Sequence, residues 1–222
     1  MPRFAAGVVR FQKDIFPDKK QMFERLSLGQ SPEALFFACA DSRIETAMIT
    51  QTEPGELFVC RNAGNIVPPH STQTGAMTAS LEYAVAVLKV PHIVVCGHTE
   101  CGAMKGAMNP AGLEQLPHVK AWLAYAQGAV AVANGIGQAL SDDERMLLVT
   151  EQNVLLQLQH LRTHPSVMAL LAQNAITLHG WVYDIKTGQV SAYDEAVGHF
   201  VPVTERYADE LAALAAEDEC AA

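Results

Sequence analysis

Two short apolar runs, each ending in metal-seeking side chains, constrain this 222-residue chain more than any other feature of it. The first, Ala34 to Cys39, gives way to Cys39-Ala40-Asp41-Ser42-Arg43, which sets a thiol, a carboxylate and a guanidinium side by side. The second, residues 92–96, runs into His98-Thr99-Glu100-Cys101. Apolar runs of this length between turn signals read as buried strands. Buried strands separated by helices require a parallel sheet, whose strand ends share one edge, where open α/β sheets bind ligands. Cys39, His98 and Cys101 are therefore candidate ligands of a single soft-to-borderline metal. Zinc suits the set, because three ligands of this type leave a fourth tetrahedral position for water, as in catalytic rather than structural zinc sites. A charged pair directly after a ligand strand is a poor core filler, so Asp41 and Arg43 are candidates for the chemistry itself.

The rest of the chain supports this reading. Residues 4–28 carry apolar positions at helical spacing (Val8, Phe11, Ile15, then Met22, Phe23, Leu26), broken at Pro17. They form an amphipathic arm suited to embracing a partner subunit. Residues 44–49 read as a short helix, 56–61 as a second strand, 72–89 as a helix and 92–96 as the next strand, with Pro91 between the last two. A helix begins at 101–108, with free N–H groups that favour a thiolate. Residues 116–132 and 141–164 read as long helices, the second opening on a capping box at Ser141. Residues 177–184 and 189–193 flank Lys186-Thr187-Gly188 as a hairpin, and 203–216 form a last helix before a loose tail. The expected fold is α/β: a mainly parallel central sheet flanked by helices, an N-terminal helical arm and a C-terminal antiparallel edge hairpin. Residues 1–222 form a single domain, comprising arm 1–28, α/β core 34–200 and C-terminal helix and tail 203–222.

Other classes are disfavoured. A formal charge of −9 without clustered Lys and Arg argues against a nucleic-acid surface, and no stretch has the length of a membrane span. Five cysteines without disulfide-framework spacing suit a reducing compartment, so a cytoplasmic location is expected. Cys60 and Cys96 read as core. His160 and His164 read as a solvated helix end, because no third metal ligand accompanies them. His70 and His118 are candidate proton relays.

Three stretches now stand together in order: Cys39-Ala40-Asp41-Ser42-Arg43, Pro54-Gly55-Glu56-Leu57-Phe58-Val59-Cys60-Arg61-Asn62, and Cys96-Gly97-His98-Thr99-Glu100-Cys101-Gly102. With them the chain resembles the β-class carbonic anhydrases, from the arm to the 179–184 strand. The run Ala63 to Pro69 is similar to the plant-like subgroup, in particular to bacterial members associated with cyanate breakdown. The resemblance implies Cys39, His98 and Cys101 as Zn2+ ligands and Asp41 with Arg43 as a catalytic dyad. It also implies Gln30, Phe58 and Tyr83 as pocket residues. The backbone N–H of Gly102 and the amide of Gln30 are candidates for the oxygens of nascent bicarbonate. The implied activity is reversible hydration of CO2 to bicarbonate and a proton, through a zinc-bound hydroxide. Hydrolysis of CS2 or COS, and a non-catalytic bicarbonate or zinc sensor, are the alternatives on the same scaffold. The implied partner is a second copy, as a homodimer or an assembly of dimers with the site near the subunit contact.

Overall fold

The computed structural model describes the backbone of residues 1–221 and the side chains through Ala216. The arm is helix α1 (Pro2–Arg10), prolonged by a wider turn at Phe11–Ile15, and α2 (Lys20–Leu26) beyond Pro17. Phe11, Phe16 and Phe23 fold the two pieces onto each other, with ring centroids 5.4–6.0 Å apart. Nothing in α1 is buried, and Phe4 is 70% exposed. Lys19 ties the arm to the body through Glu53 at 2.5 Å.

Strand β1 (Ala34–Cys39) is followed by α3 (Thr46–Thr50), β2 (Leu57–Asn62), α4 (Ala76–Glu82) with a wider continuation at Tyr83–Val87, and β3 (His92–His98). The expected 72–89 helix thus begins later, at Ala76, and the preceding residues form a long loop. Strand β3 runs two residues past the expected Cys96, because His98 pairs with Tyr183 of the neighbouring strand. Next come α5 (Gly102–Met108), α6 (Pro117–Leu123), α7 (Gln127–Ile136), α8 (Asp142–Leu161) and α9 (Pro165–Leu171). The expected 116–132 helix is therefore two helices joined by a tighter turn at Ala124–Ala126. Helix α8 opens on the expected capping box, with Ser141 N–H donating to Glu144 at 2.9 Å.

Strands β4 (Thr177–Tyr183), β5 (Val190–Asp194) and β6 (His199–Pro202) precede α10 (Val203–Arg206) and α11 (Ala208–Ala221). The hairpin is thus a three-stranded meander. The last helix breaks at Tyr207, and its backbone runs on to Ala221. The loose tail expected beyond Ala216 lies outside the described side chains. Among the described residues no helix is long and apolar enough to cross a membrane.

The sheet order is β2-β1-β3-β4-β5-β6, with parallel pairing through β4 and antiparallel pairing beyond it. Every residue of β1 is buried, as a strand covered on both faces must be. On one face Leu35, Phe37, Ile93 and Val95 pack against Val154, Leu158 and Leu161 of α8. The other face holds Phe36, Ala38, Val94 and Cys96 beside Trp181 and Tyr183 of β4. Helix α8 lies close on the sheet at Gly97, where a Cβ would stand 2.9 Å from Val154 and 3.1 Å from Thr150. A third cluster, with Ile66, Met104, Leu123, Val130 and Val149, closes around Cys39 and Cys101 at the C-terminal edge.

Candidate metal centre

Strands β1 and β3 are adjacent and parallel, so Cys39 and His98, their last residues, reach the same edge. The chain then turns sharply. Glu100 takes a left-handed conformation (φ 58°) that costs a non-glycine residue about 1 kcal/mol, and Cys101 follows as the N-cap of α5. The outcome is a buried trio whose ligand atoms all lie within 4.8 Å of one another. Cys39 Sγ and Cys101 Sγ are 3.9 Å apart. Two thiolates on a tetrahedral zinc with Zn–S bonds of about 2.3 Å would stand about 3.8 Å apart.

The imidazole is set for the same purpose. His98 Nδ1 lies 2.8 Å from the carbonyl oxygen of Thr99 and so carries the proton. Nε2 is left with its lone pair turned inward, buried and without a hydrogen-bond partner. An orphaned buried acceptor beside two sulphurs is what a metal ligand looks like before it is engaged. The residues present fit zinc.

Backbone donors shape the sulphurs. Gly64 N–H donates to Cys39 Sγ at 3.4 Å, and the N–H groups of Ala103 and Met104 point at Cys101. The contact with Cys101 is the strongest influence pulling the Cys39 thiol down, to about 4; burial opposes it, while His98 and the Gly64 and Asp41 N–H groups add to it. That contact and burial push Cys101 up. Cys60 and Cys96 behave differently. Both are buried in the core, and burial raises their thiols, Cys96 to about 12.

At the mouth of the nest Asp41 is gripped by Arg43. Nε donates to Oδ1 at 2.9 Å, Nη2 to Oδ2 at 2.7 Å, and the Arg43 backbone N–H to Oδ1 at 3.0 Å. This pairing holds Asp41 well below the usual carboxylate range. Oδ2 lies 3.9 Å from His98 Nε2, so the carboxylate faces the nest without filling it. Arg43 is braced in turn by the carbonyl of Glu100 at 3.0 Å. Gly102, the first residue of α5, has open space beside its Cα.

Sequence reasoning overlooked several supports. Arg61 ends its expected strand and donates to the carbonyls of Cys39, Asp41 and Ile44 at 2.7–3.0 Å; a guanidinium at a strand end beside Cys39 was the available signal. Thr99 donates to Asp184 at 3.1 Å and ties the ends of β3 and β4 together. Gly64 (φ 85°) must be glycine, since a Cβ would stand 2.9 Å from Met104 Cε and 3.2 Å from Ala103 Cβ.

The other expected residues lie elsewhere. Phe58 pairs in register with Leu35, four residues from the Cys39–Asn62 pair, or roughly 13 Å along the strand. Tyr83, 44% exposed, lies 6.0 Å from the Phe58 ring. Gln30 is exposed in the loop before β1. Within one chain none of the three reaches the trio. His160 and His164 are not a solvated helix end: His164 is buried, and each ring bonds to a backbone carbonyl, of Val67 at 2.8 Å and of Pro68 at 2.9 Å.

The comparisons with known proteins agree with this geometry. The carbonic anhydrase family profile matches residues 34–190. A carbonic anhydrase of Pseudomonas aeruginosa is 50% identical over 199 residues, covering 90% of each chain. The solved β-carbonic anhydrase CcaA superposes with a TM-score of 0.89 at 39% identity, over 91% of both chains. Tetrameric β-carbonic anhydrases from Sordaria macrospora give a TM-score of 0.69 at 32% identity, over 86% of this chain and 92% of theirs. The chain belongs to the β-class carbonic anhydrases.

Proposed function

We propose that this enzyme hydrates CO2 reversibly with Zn2+ held by Cys39, His98 and Cys101, and that Asp41 with Arg43 forms its catalytic dyad. The buried, inward-facing and unpartnered Nε2 of His98 carries the reading. Bound zinc would supply Lewis acidity that lowers the pKa of water, a weaker effect with two thiolates than with neutral ligands alone.

The chain's own groups do the rest. Arg43 keeps Asp41 ionised and fixes its plane, and the carboxylate's remaining lone pairs can accept a hydrogen bond from the attacking hydroxide and aim its lone pair. The Gly102 N–H, at the start of α5, is the donor proposed for the oxygens of nascent bicarbonate. Four buried thiols without disulfides among the described residues suit a reducing, cytoplasmic setting.

The test is stopped-flow CO2 hydration on zinc-quantified protein between pH 6.5 and 9. Turnover rising with pH at one zinc per chain is the expected result. Zinc-loaded protein that turns over CS2 or COS but not CO2 would replace the substrate, and zinc without any turnover would make the chain a sensor.

The active unit is a homodimer or an assembly of dimers. Support comes from the unburied apolar face of α1 and from Gln30, Phe58 and Tyr83, which stand exposed or half-buried away from their own chain's trio. The dimer proposed here is two-fold, with Gln30, Phe58 and Tyr83 of each chain turned to the partner's trio. Co-refolding Asp41→Asn chains with Gln30→Ala/Tyr83→Ala chains should then restore roughly a quarter of wild-type activity, since half the dimers are mixed and each has one intact site. Activity no higher than the mean of the two parents would return all these residues to one chain.

A further inference from the structure

Helix α8 carries a column of buried polar side chains that the chemistry described so far does not use. Asn153, Gln157 and His160 follow one another at helical spacing, and His164, which precedes α9, extends the line; Asn153, Gln157 and His164 are almost wholly buried. Such a column is costly to bury unless every group is satisfied. Here the partners are the column's own members and the loop that leaves β2. Asn153 Nδ2 donates to the Gly64 carbonyl at 3.0 Å, and its Oδ1 accepts from Gln157 Nε2 at 2.9 Å. Gln157 Oε1 accepts the Val67 N–H at 2.9 Å. His160 Nδ1 faces two acceptors, the Val67 carbonyl at 2.8 Å and Gln157 Oε1 at 3.0 Å, so it must carry the proton. His164 Nε2 likewise donates to the Pro68 carbonyl at 2.9 Å. The donor and acceptor order is thereby fixed along the whole column, and turning either amide over would break bonds at both of its ends.

The same loop meets the metal centre. Gly64 offers its carbonyl to Asn153 and its N–H to Cys39 Sγ, so the peptide groups flanking one residue join α8 to a ligand sulphur. Trp122 Nε1 pins the preceding carbonyl, that of Ala63, at 2.9 Å. We propose that Asn153 and Gln157 are positioning residues of the metal centre, which fix the Gly64 loop so that its N–H meets the Cys39 sulphur and the zinc is held. This rests on the zinc reading above.

Asn153→Leu and Gln157→Met keep the approximate shape and remove the bonds. The readouts are zinc release from the loaded protein to a chromophoric chelator and the sulphur-to-cobalt charge-transfer band of Co2+-loaded protein. Leu161→Ala, which hollows the apolar packing of the same helix and removes no hydrogen bond, is the control. Each column variant is expected to hold zinc about 10- to 100-fold less tightly, the usual cost of losing an outer-shell partner, and to shift the cobalt band. Leu161→Ala should lose comparable thermal stability with affinity and band unchanged. Gln157→Glu retains the acceptor for Val67 and should fall between Gln157→Met and wild type, which gives a reading even if Asn153→Leu does not fold. Column variants that lose stability but match the control in affinity and spectrum would overturn the proposal. Wild-type protein that binds neither metal would overturn the zinc reading itself.

Discussion

Cys101→Ser is expected to lose zinc and CO2 hydration together. Cys101 is 1% exposed, caps α5 and lies against Cys39, so serine fits the space with little change of shape. The change is one of chemistry: a serine hydroxyl stays protonated where a thiol can become the thiolate that zinc binds. Removing a direct ligand should weaken the site well beyond the 10- to 100-fold cost of an outer-shell loss. Metal analysis after dialysis should fall from one zinc per chain towards zero, and hydration should drop to background. A variant that keeps full zinc would remove Cys101 from the ligand set. With the metal gone, the orphaned Nε2 of His98 remains buried, so thermal stability should also fall below that of loaded wild type.

Asp41→Asn separates metal holding from catalysis. The carboxylate faces the nest at 3.9 Å from His98 Nε2 without being one of the three converging ligands, so zinc content should stay at one per chain. Turnover should fall by about 10²- to 10⁴-fold, the usual worth of a positioned proton acceptor, or about 3–5 kcal/mol of barrier. The amide is nearly isosteric but fails in two ways. It presents an N–H₂ where Arg43 offers donors, and it carries no charge for the guanidinium to hold. Stopped-flow rates beside zinc analysis check both halves, and a near-wild-type rate would take Asp41 out of the mechanism. Arg43→Lys offers a gentler companion reading, because a lysine cannot make the two-pronged contact.

The trio was legible because parallel topology can be read from apolar runs between helices. Once Ala34 to Cys39 and the run from His92 are parallel neighbours, their C-terminal ends must coincide, and Cys101 is only a turn away. The supports were hidden for a physical reason: Gly64, Thr99 and Glu100 act through backbone groups or a long-range hydroxyl contact, and a backbone N–H carries no residue-type signature. Strand β6 is four residues long and too short to show alternation. The α6–α7 break falls in an alanine-rich stretch without proline, where nothing marks a change of turn. The spacing of His160 and His164 suggests a solvated end because a polar stripe ordinarily faces water, whereas this one supplies the partners for loop peptide groups that no strand pairs.

The connectivity of the sheet has a further consequence, for how the chain is made. Cys39, His98 and Cys101 emerge from the ribosome early, but β4, the strand that pairs with His98, arrives only after the long excursion through residues 99–176. Contacts closed over such separations form slowly. Helix α8, which covers one face of β1 and β3 and anchors the Gly64 loop, lies in the later part of that excursion. During synthesis the two thiols are therefore exposed for an interval before their surroundings close, and in that interval they are open to oxidation.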